Sequence, residues 1–288
     1  PTRSSVLVRL LHSHIRIGSF QRLAYLGQAD NLEKLLRHTV RHYYPELDPD
    51  MAYEQLILSF LSEFAERVSD MVAGWMVAGF VHGVLNTDNF NITGESFDYG
   101  PWRFLPHFDP GFTAAYFDQT GRYAYGRQPS AAMWALCRLA DCFVPIVDPE
   151  ILAETLSGFY ASMERNLARR LRWRLGVEGT DDDASQLSAL VFEAAKASQI
   201  GWDRLFHDLY GGHRPGQSAD PAWQNSAELA KLADYASSLS PRQTKTIVQA
   251  ARAAPLDGQR GAQGRRPEVR VSAGGGGGGD LEGLQVLV

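Results

Sequence analysis

The sequence predicts a mainly α-helical protein with one short β-hairpin. Three observations carry that prediction. Apolar residues recur at a helical period over most of the chain from about residue 31 to residue 238. One stretch, residues 82–129, replaces that period with Gly, Asn, Asp, Pro and aromatic residues. Within it only residues 90–93 and 96–98 read as extended, and Gly94-Glu95 between them reads as a tight turn.

Taken in order, residues 1–27 are mixed, with an extended Val6-Leu7-Val8 and a basic segment, His12-Ser13-His14-Ile15-Arg16. Asp30 is the expected N-cap of a helix over 31–42, whose Leu32, Leu35, Leu36 and Val40 share a face, and Pro45 ends it. A longer helix starts near Tyr53, with Leu56, Phe60, Phe64, Val68, Met71 and Trp75 on one side and Glu63, Glu66, Arg67 and Asp70 on the other. Its polar face fades after Met71, so its second half is expected to be buried all round. Beyond the loop-rich stretch, helices are expected over 130–143, with Pro129 in its first turn, and over 149–174, 183–199, 202–209 and 226–238. Residues 251–288 hold ten of the 27 glycines, six of them consecutive at 274–279, and no aromatic residue. Such a tail is expected to be disordered, because it cannot bury enough apolar surface to offset its ordering entropy.

The composition excludes several classes. The 288 residues carry 28 basic and 33 acidic side chains, a net charge of −5. No basic stripe invites nucleic acid. Two cysteines, Cys137 and Cys142, make no disulfide framework and suit a reducing compartment. The longest apolar run, residues 71–81, falls well short of the ~20 residues a membrane span needs. No signal peptide opens the chain, since Arg9 interrupts its first apolar stretch. A cytoplasmic protein with neither nucleic-acid nor membrane partners is expected.

Chemistry concentrates in His82-Gly83-Val84-Leu85-Asn86-Thr87-Asp88-Asn89 and in Asp98-Tyr99-Gly100. A helix leads into a polar loop presenting carboxamides and a carboxylate. The hairpin then returns a second carboxylate, so Asn89 and Asp98 stand at its two ends. Hard oxygen ligands of this kind suit Mg²⁺, which binds through one or two side chains plus substrate phosphates; Mn²⁺ is the alternative. The spacing of His82 to Asn89, followed by Asp98-Tyr99-Gly100, matches the kinase arrangement of a catalytic loop and a metal-binding Asp. Val84 stands where that arrangement places its catalytic aspartate, and Asp88 is the acid available instead.

These blocks, with Ser13-His14-Ile15-Arg16-Ile17-Gly18-Ser19-Phe20, Phe108-Asp109-Pro110-Gly111-Phe112, Gly121-Arg122-Tyr123 and Gln128-Pro129 leading to Trp134, resemble in order those of the selenoprotein O-like (YdiU-type) proteins over about residues 3–210. The resemblance implies a protein-kinase-like fold, of which this chain is the large lobe. It implies AMP transfer from ATP to Ser, Thr or Tyr hydroxyls of protein substrates. By the same resemblance Asp88 is the general base, Asn89 and Asp98 hold the metal and through it the nucleotide, and Arg9 and Arg16 contact the phosphates. The expected division is a phosphate-binding segment over 1–30, the helical lobe over 31–250, and the tail over 251–288.

The chain departs from the family where it opens at Pro1, with no glycine-rich loop or lysine-bearing strand before it, and where it turns Arg- and Gly-rich after Ser240. It is expected to be a fragment lacking the small lobe. The competing functions are UMP transfer, a catalytically inactive kinase-like binding module and, third, a metal hydrolase. Other polar residues carry plainer expectations. His82 anchors its loop through a buried hydrogen bond. His38 and His42 lie on a helix surface. His12 and His14 bind no metal. Asp109 shapes a loop, Asp181-Asp182-Asp183 starts a helix in solvent, and Trp75, Trp102 and Trp134 are core.

Overall fold

The computed structural model describes residue 8 and residues 10–180, 184–211 and 220–240. Arg9, Asp181-Asp182-Asp183 and the glycine-rich tail lie outside the described residues. Ten helices and two strands follow one another among the described residues: α1 (Ile17–Tyr25), α2 (Ala29–Tyr43), α3 (Tyr53–Ala78), β1 (Phe80–His82), β2 (Trp102–Phe104), α4 (Gln128–Ala140), α5 (Pro149–Ser157), α6 (Phe159–Leu175), α7 (Ala184–Ser198), α8 (Trp202–Leu209), α9 (Pro221–Asn225) and α10 (Ala227–Ser238). None of the described helices is long and apolar enough to cross a membrane.

Helix α3 is the axis. Leu56, Phe60, Phe64 and Val68, spaced four apart, are fully buried, and so are Ile57 and Leu61 beside them. Past Met71 the burial widens to Val72, Ala73, Trp75, Met76 and Val77, as the fading polar face predicts. Glu66 and Asp70 of α3 face α6, which lies along it, whereas Arg67 pairs with Glu46 beyond the end of α2. Asp70 accepts from Arg170 Nε at 2.9 Å and Nη2 at 2.7 Å, and Asn166 donates to Ser69 Oγ at 2.8 Å. Helix α7 packs on α6, and α10 on α7, while α1 packs between α2 and α4. Ile17 and Phe20 of α1 belong to the same continuous core as α3.

The end of α3 needs help, because the last carbonyls of a helix have no partner within it. Distant side chains supply that help. Tyr125 Oη donates to the Met76 carbonyl at 2.6 Å, and Trp202 Nε1 to the Val77 carbonyl at 3.1 Å. Arg174 Nη1 also donates to the Val77 carbonyl. Gly79 closes the helix in the left-handed region at φ 71°. Trp202 is buried and stacks against Phe108 and Phe192, at ring separations of 5.9 Å and 6.0 Å, and those two rings also touch each other at 5.4 Å. The chain therefore leaves α3 through a fixed corner, and β1 begins at once.

The structure corrects several expectations. Residues 17–25, part of the stretch read only as mixed, form α1. Gln28, not Asp30, precedes the first turn of α2; Asp30 sits inside that turn, where its charge suits the helix N-terminus. The single helix expected over 149–174 is two, joined at Gly158, with Asp148 capping α5 by accepting from Glu150 N at 2.8 Å. The sheet is not formed by residues 90–93 and 96–98. Those stretches do fold back on each other, but through one bridge, Phe90 to Ser96. The paired strands are β1 and β2, antiparallel, with Phe80 opposite Phe104 and His82 opposite Trp102. Strand β1 is buried and β2 exposed along its whole length. Trp75 is core, but Trp102 and Trp134 are 52% and 41% exposed, the latter lying beneath the Arg122 guanidinium at 4.9 Å. His38 and His42 are exposed on α2, and Asp109 accepts from Gly111 N at 2.8 Å to shape its loop.

The α3 corner is testable. A methyl group at Gly79 would lie 2.6 Å from Trp202 Nε1, and the buried indole has nowhere to go. Left-handed backbone adds ~1–2 kcal/mol for a non-glycine residue, and overpacking adds ~1–3 kcal/mol. Gly79→Ala is expected to lower unfolding free energy by about 2–5 kcal/mol, read as a drop in urea midpoint at unchanged m-value.

Candidate active site

The loop that follows β1 is held by a buried histidine. Gln128 Oε1 accepts from the His82 backbone N–H at 2.9 Å, and Gln128 Nε2 donates to the Phe80 carbonyl at 3.0 Å. On the ring, Nδ1 accepts from Val84 N–H at 3.1 Å. That contact fixes the tautomer: the proton sits on Nε2, which lies 3.0 Å from Ser96 Oγ and donates to it. Ser96 Oγ in turn donates to the Asp98 carbonyl at 3.3 Å. One neutral ring thus ties the beginning of the loop to its return. Burial pushes the His82 pKa down to about 4, against a smaller upward pull from Asp98.

Between those ties the chain makes a short 3-10 turn over Thr87–Asn89. Asn86 Oδ1 caps it by accepting from Asp88 N at 3.1 Å. Asn89 is buried, and its Nδ2 donates to the Val84 carbonyl at 2.7 Å, which leaves Oδ1 as the side chain's atom for a cation. Phe97 N–H donates to the Asn89 carbonyl at 3.1 Å, so Asp98 returns to the loop one residue beyond a direct tie to Asn89. The Asp98 carboxylate is half-buried, with Oδ1 accepting from Gly100 N at 3.2 Å. Among the described residues no three His, Cys, Asp or Glu side chains gather as a metal cluster. The Asn89 and Asp98 pair still fits a hard divalent cation. Both side chains offer oxygen, and Mg²⁺ takes few protein ligands when phosphates and water fill the rest.

Asp88 stands apart from that pair in character. Its side chain is 61% exposed, and Arg16 Nη1 lies 3.9 Å from Oδ1 and donates to the Asp88 backbone carbonyl at 3.5 Å. Arg16 reaches this place because its segment pairs with the loop: Ile17 N donates to the Phe90 carbonyl at 3.1 Å, and Ile92 N to the Ile15 carbonyl at 2.9 Å. Asn91 Nδ2 donates to the Ser13 carbonyl. Tyr44 Oη secures the far side by donating to the Ile92 carbonyl at 2.6 Å. The Arg16 guanidinium rests on the Phe97 ring at 4.4 Å, and its Nε is buried without a hydrogen-bond partner. The structure therefore brings Arg16, Asp88, Asn89 and Asp98 to one loop, while Arg9 lies outside the described residues. Phe97, Ser96 and Gln128 were not singled out from the sequence as site residues. Phe97 had a usable signal, an aromatic residue immediately before the candidate metal-binding Asp98.

The histidine knot has a pH signature. The unfolded chain titrates His82 near 6.5 and the folded one near 4, so between these values the unfolded state binds more protons. Its contribution to stability is complete above pH 6.5 and is lost as pH falls through 4. The full span is about 3 kcal/mol. His82→Gln is expected to flatten the urea midpoint between pH 4.5 and 7 relative to the unchanged protein. An identical pH dependence in the two would remove His82 as its source.

Known proteins resemble this chain in sequence. A chain from Trichormus variabilis called protein nucleotidyltransferase YdiU is 42% identical over 210 residues, which is 73% of this chain and 43% of that one. Proteins of the same name from Synechocystis sp. and Trichodesmium erythraeum are 38% and 39% identical, covering 80% and 78% of this chain and 48% of each relative. The chain spans about half the length of these curated relatives. The profile of one family, described as protein adenylyltransferase SelO, matches residues 1–249. By that match and those identities, the chain belongs to the SelO family.

Proposed function

We propose that this chain carries the large, kinase-like lobe of a cytoplasmic, Mg²⁺-dependent protein adenylyltransferase, which moves AMP from ATP to Ser, Thr or Tyr hydroxyls of protein substrates. Mn²⁺ is the alternative metal. The observation that carries this reading is the convergence at one loop of an exposed carboxylate, Asp88, a phosphate-seeking cation, Arg16, and an oxygen pair, Asn89 and Asp98. On this reading the phosphate-binding segment is residues 1–30, with Arg9 as well as Arg16 assigned to the phosphates, and the large lobe is residues 31–250.

The chemistry assigns each group a task. The substrate hydroxyl oxygen forms a bond to the α-phosphorus of ATP, the bond from that phosphorus to the bridging oxygen breaks, and pyrophosphate leaves. Asp88 accepts the hydroxyl proton; its exposure lets a second protein reach it. Arg16 offers a planar, permanently charged fork to the phosphate oxygens. Asn89 and Asp98 would hold the cation, which supplies charge neutralisation on the phosphates when bound. His82 takes no part in proton transfer, because both ring nitrogens are engaged in holding the loop.

The test is transfer of label from the α-phosphate of ATP to protein, set beside the same assay with γ-phosphate label. Asp88→Ala is expected to slow α-label transfer by about 10²–10⁴-fold with ATP affinity nearly unchanged. Asp98→Ala is expected to abolish Mg²⁺-dependent ATP binding in titration calorimetry, with the circular dichroism spectrum and thermal midpoint retained. Transfer of the γ-label instead would replace the reading with phosphoryl transfer, and equal transfer from UTP would favour the UMP alternative. Unaltered ATP affinity in Asp98→Ala would remove that residue from the metal site.

A further inference from the structure

Gly18 is the second residue of α1, and nothing in its own backbone calls for glycine. Its φ lies outside the left-handed region, and alanine is the better helix former. What a methyl group there would meet is Asp88. The three heavy atoms nearest to the position of that methyl all belong to Asp88: Oδ1, well inside contact distance, Cγ at 3.2 Å and Oδ2 at 3.8 Å. The carboxylate occupies the room a side chain would take.

We propose that Gly18 is a positioning residue for Asp88, its missing methyl being the seat that holds the carboxylate between the first turn of α1 and the Arg16 guanidinium. The proposal rests on the assignment of Asp88 as the base. An exposed aspartate has several staggered rotamers open to it, and only surrounding atoms select one. Here the backbone of Asp88 is fixed by the Asn86 cap, and one side of its carboxylate by Arg16 at 3.9 Å. The surface of α1 at Gly18 is the other side. Filling the seat pushes out only the mobile end of an exposed side chain, so folding tolerates the change. The carboxylate then leaves the place from which it takes a proton, and small misplacements of a catalytic group cost rate heavily. The same reasoning separates Gly18 from Gly79, where a methyl would strike a buried indole and folding itself suffers.

The experiment compares the natural full-length protein with Gly18→Ala, Asp88→Ala and the double variant, measuring thermal midpoint, ATP affinity and α-label transfer. Gly18→Ala is expected to keep its midpoint within about 2 °C or raise it, to keep KM for ATP within about threefold, and to lose at least ~10-fold in kcat. In the Asp88→Ala background the second substitution is expected to cost less than about twofold, since nothing remains to be displaced. Wild-type kcat in Gly18→Ala, with transfer lost in Asp88→Ala, would overturn the positioning role and leave the base intact. An equal kcat loss with and without Asp88 would show that Gly18 acts on something else and overturn the proposal. Undiminished transfer in Asp88→Ala would remove the base, and the role of Gly18 with it.

Discussion

The constraint on which this structure depends is the satisfaction of the last carbonyls of α3. A 26-residue helix that ends inside the core leaves acceptors that water cannot reach, and each such buried acceptor costs ~1–3 kcal/mol if left unpaired. The protein answers with side chains from three remote segments: Tyr125 before α4, Arg174 at the end of α6, and Trp202 at the start of α8. These donors do more than cap. They fasten the helices that carry them to one point, and they fix the direction in which the chain leaves Gly79. Strand β1 and the loop beyond it inherit that direction, so the placement of the site is a consequence of how one helix ends.

From that point rigidity is handed forward by buried polar groups. Gln128, at the start of α4, grips both the Phe80 carbonyl and the His82 N–H. The neutral His82 ring carries the connection to Val84 and Ser96, and Ser96 passes it to Asp98. Each member is a donor or acceptor used within the chain, which is the condition under which a buried polar network specifies a conformation. The segment before α1 is pinned to the same loop by backbone pairing at Ile15, Ile17, Phe90 and Ile92. The result is a stiff frame in which Asn89 and Asp98 are set from behind.

How much of this was legible in the sequence follows from the range of the interactions. The long helices could be read, because the period of Leu56, Phe60, Phe64 and Val68 is local and its burial follows directly. Residues 202–209 could be read for the same reason, since Trp202, Leu205 and Phe206 line one face. The β1–β2 pairing could not. Three-residue strands have too little alternation to register, and His82 and Trp102 meet only because Gly79 sends the chain back from α3. The corner at Gly158 was missed because the apolar period runs on through it; the break shows only where α5 and α6 each take their own packing partners. Trp102 was misassigned to the core because residue type reports size and hydrophobicity but not which strand lies at an edge. Of the candidate site, the residue identities Asp88, Asn89, Asp98 and Arg16 could be proposed from the sequence, and the structure places them near one loop. The site's supports could not, because Phe97, Gln128 and Gly18 matter only through atoms brought close by the fold.

The frame and the groups it presents differ in strength, and that difference suits the transfer chemistry proposed for them. The bonds that hold the α3 corner and His82 are buried, where losing one partner strands the other. The Arg16–Asp88 contact is 3.9 Å long, with the two side chains 35% and 61% exposed. Such a pair is worth about 0–1 kcal/mol in water and salt. On the proposed reading, a nucleotide triphosphate would offer Arg16 several anionic oxygens in place of one distant carboxylate, so its outer nitrogens could shift to them at little cost while the face of the guanidinium stays on Phe97. With that weak contact relaxed, Asp88 would be able to accept a proton on the same reading, its backbone still fixed by Asn86 and one side of its carboxylate still against Gly18. On that reading, binding of phosphate and readiness of the base would be linked through one weak ion pair, which the stiff loop beneath it makes possible.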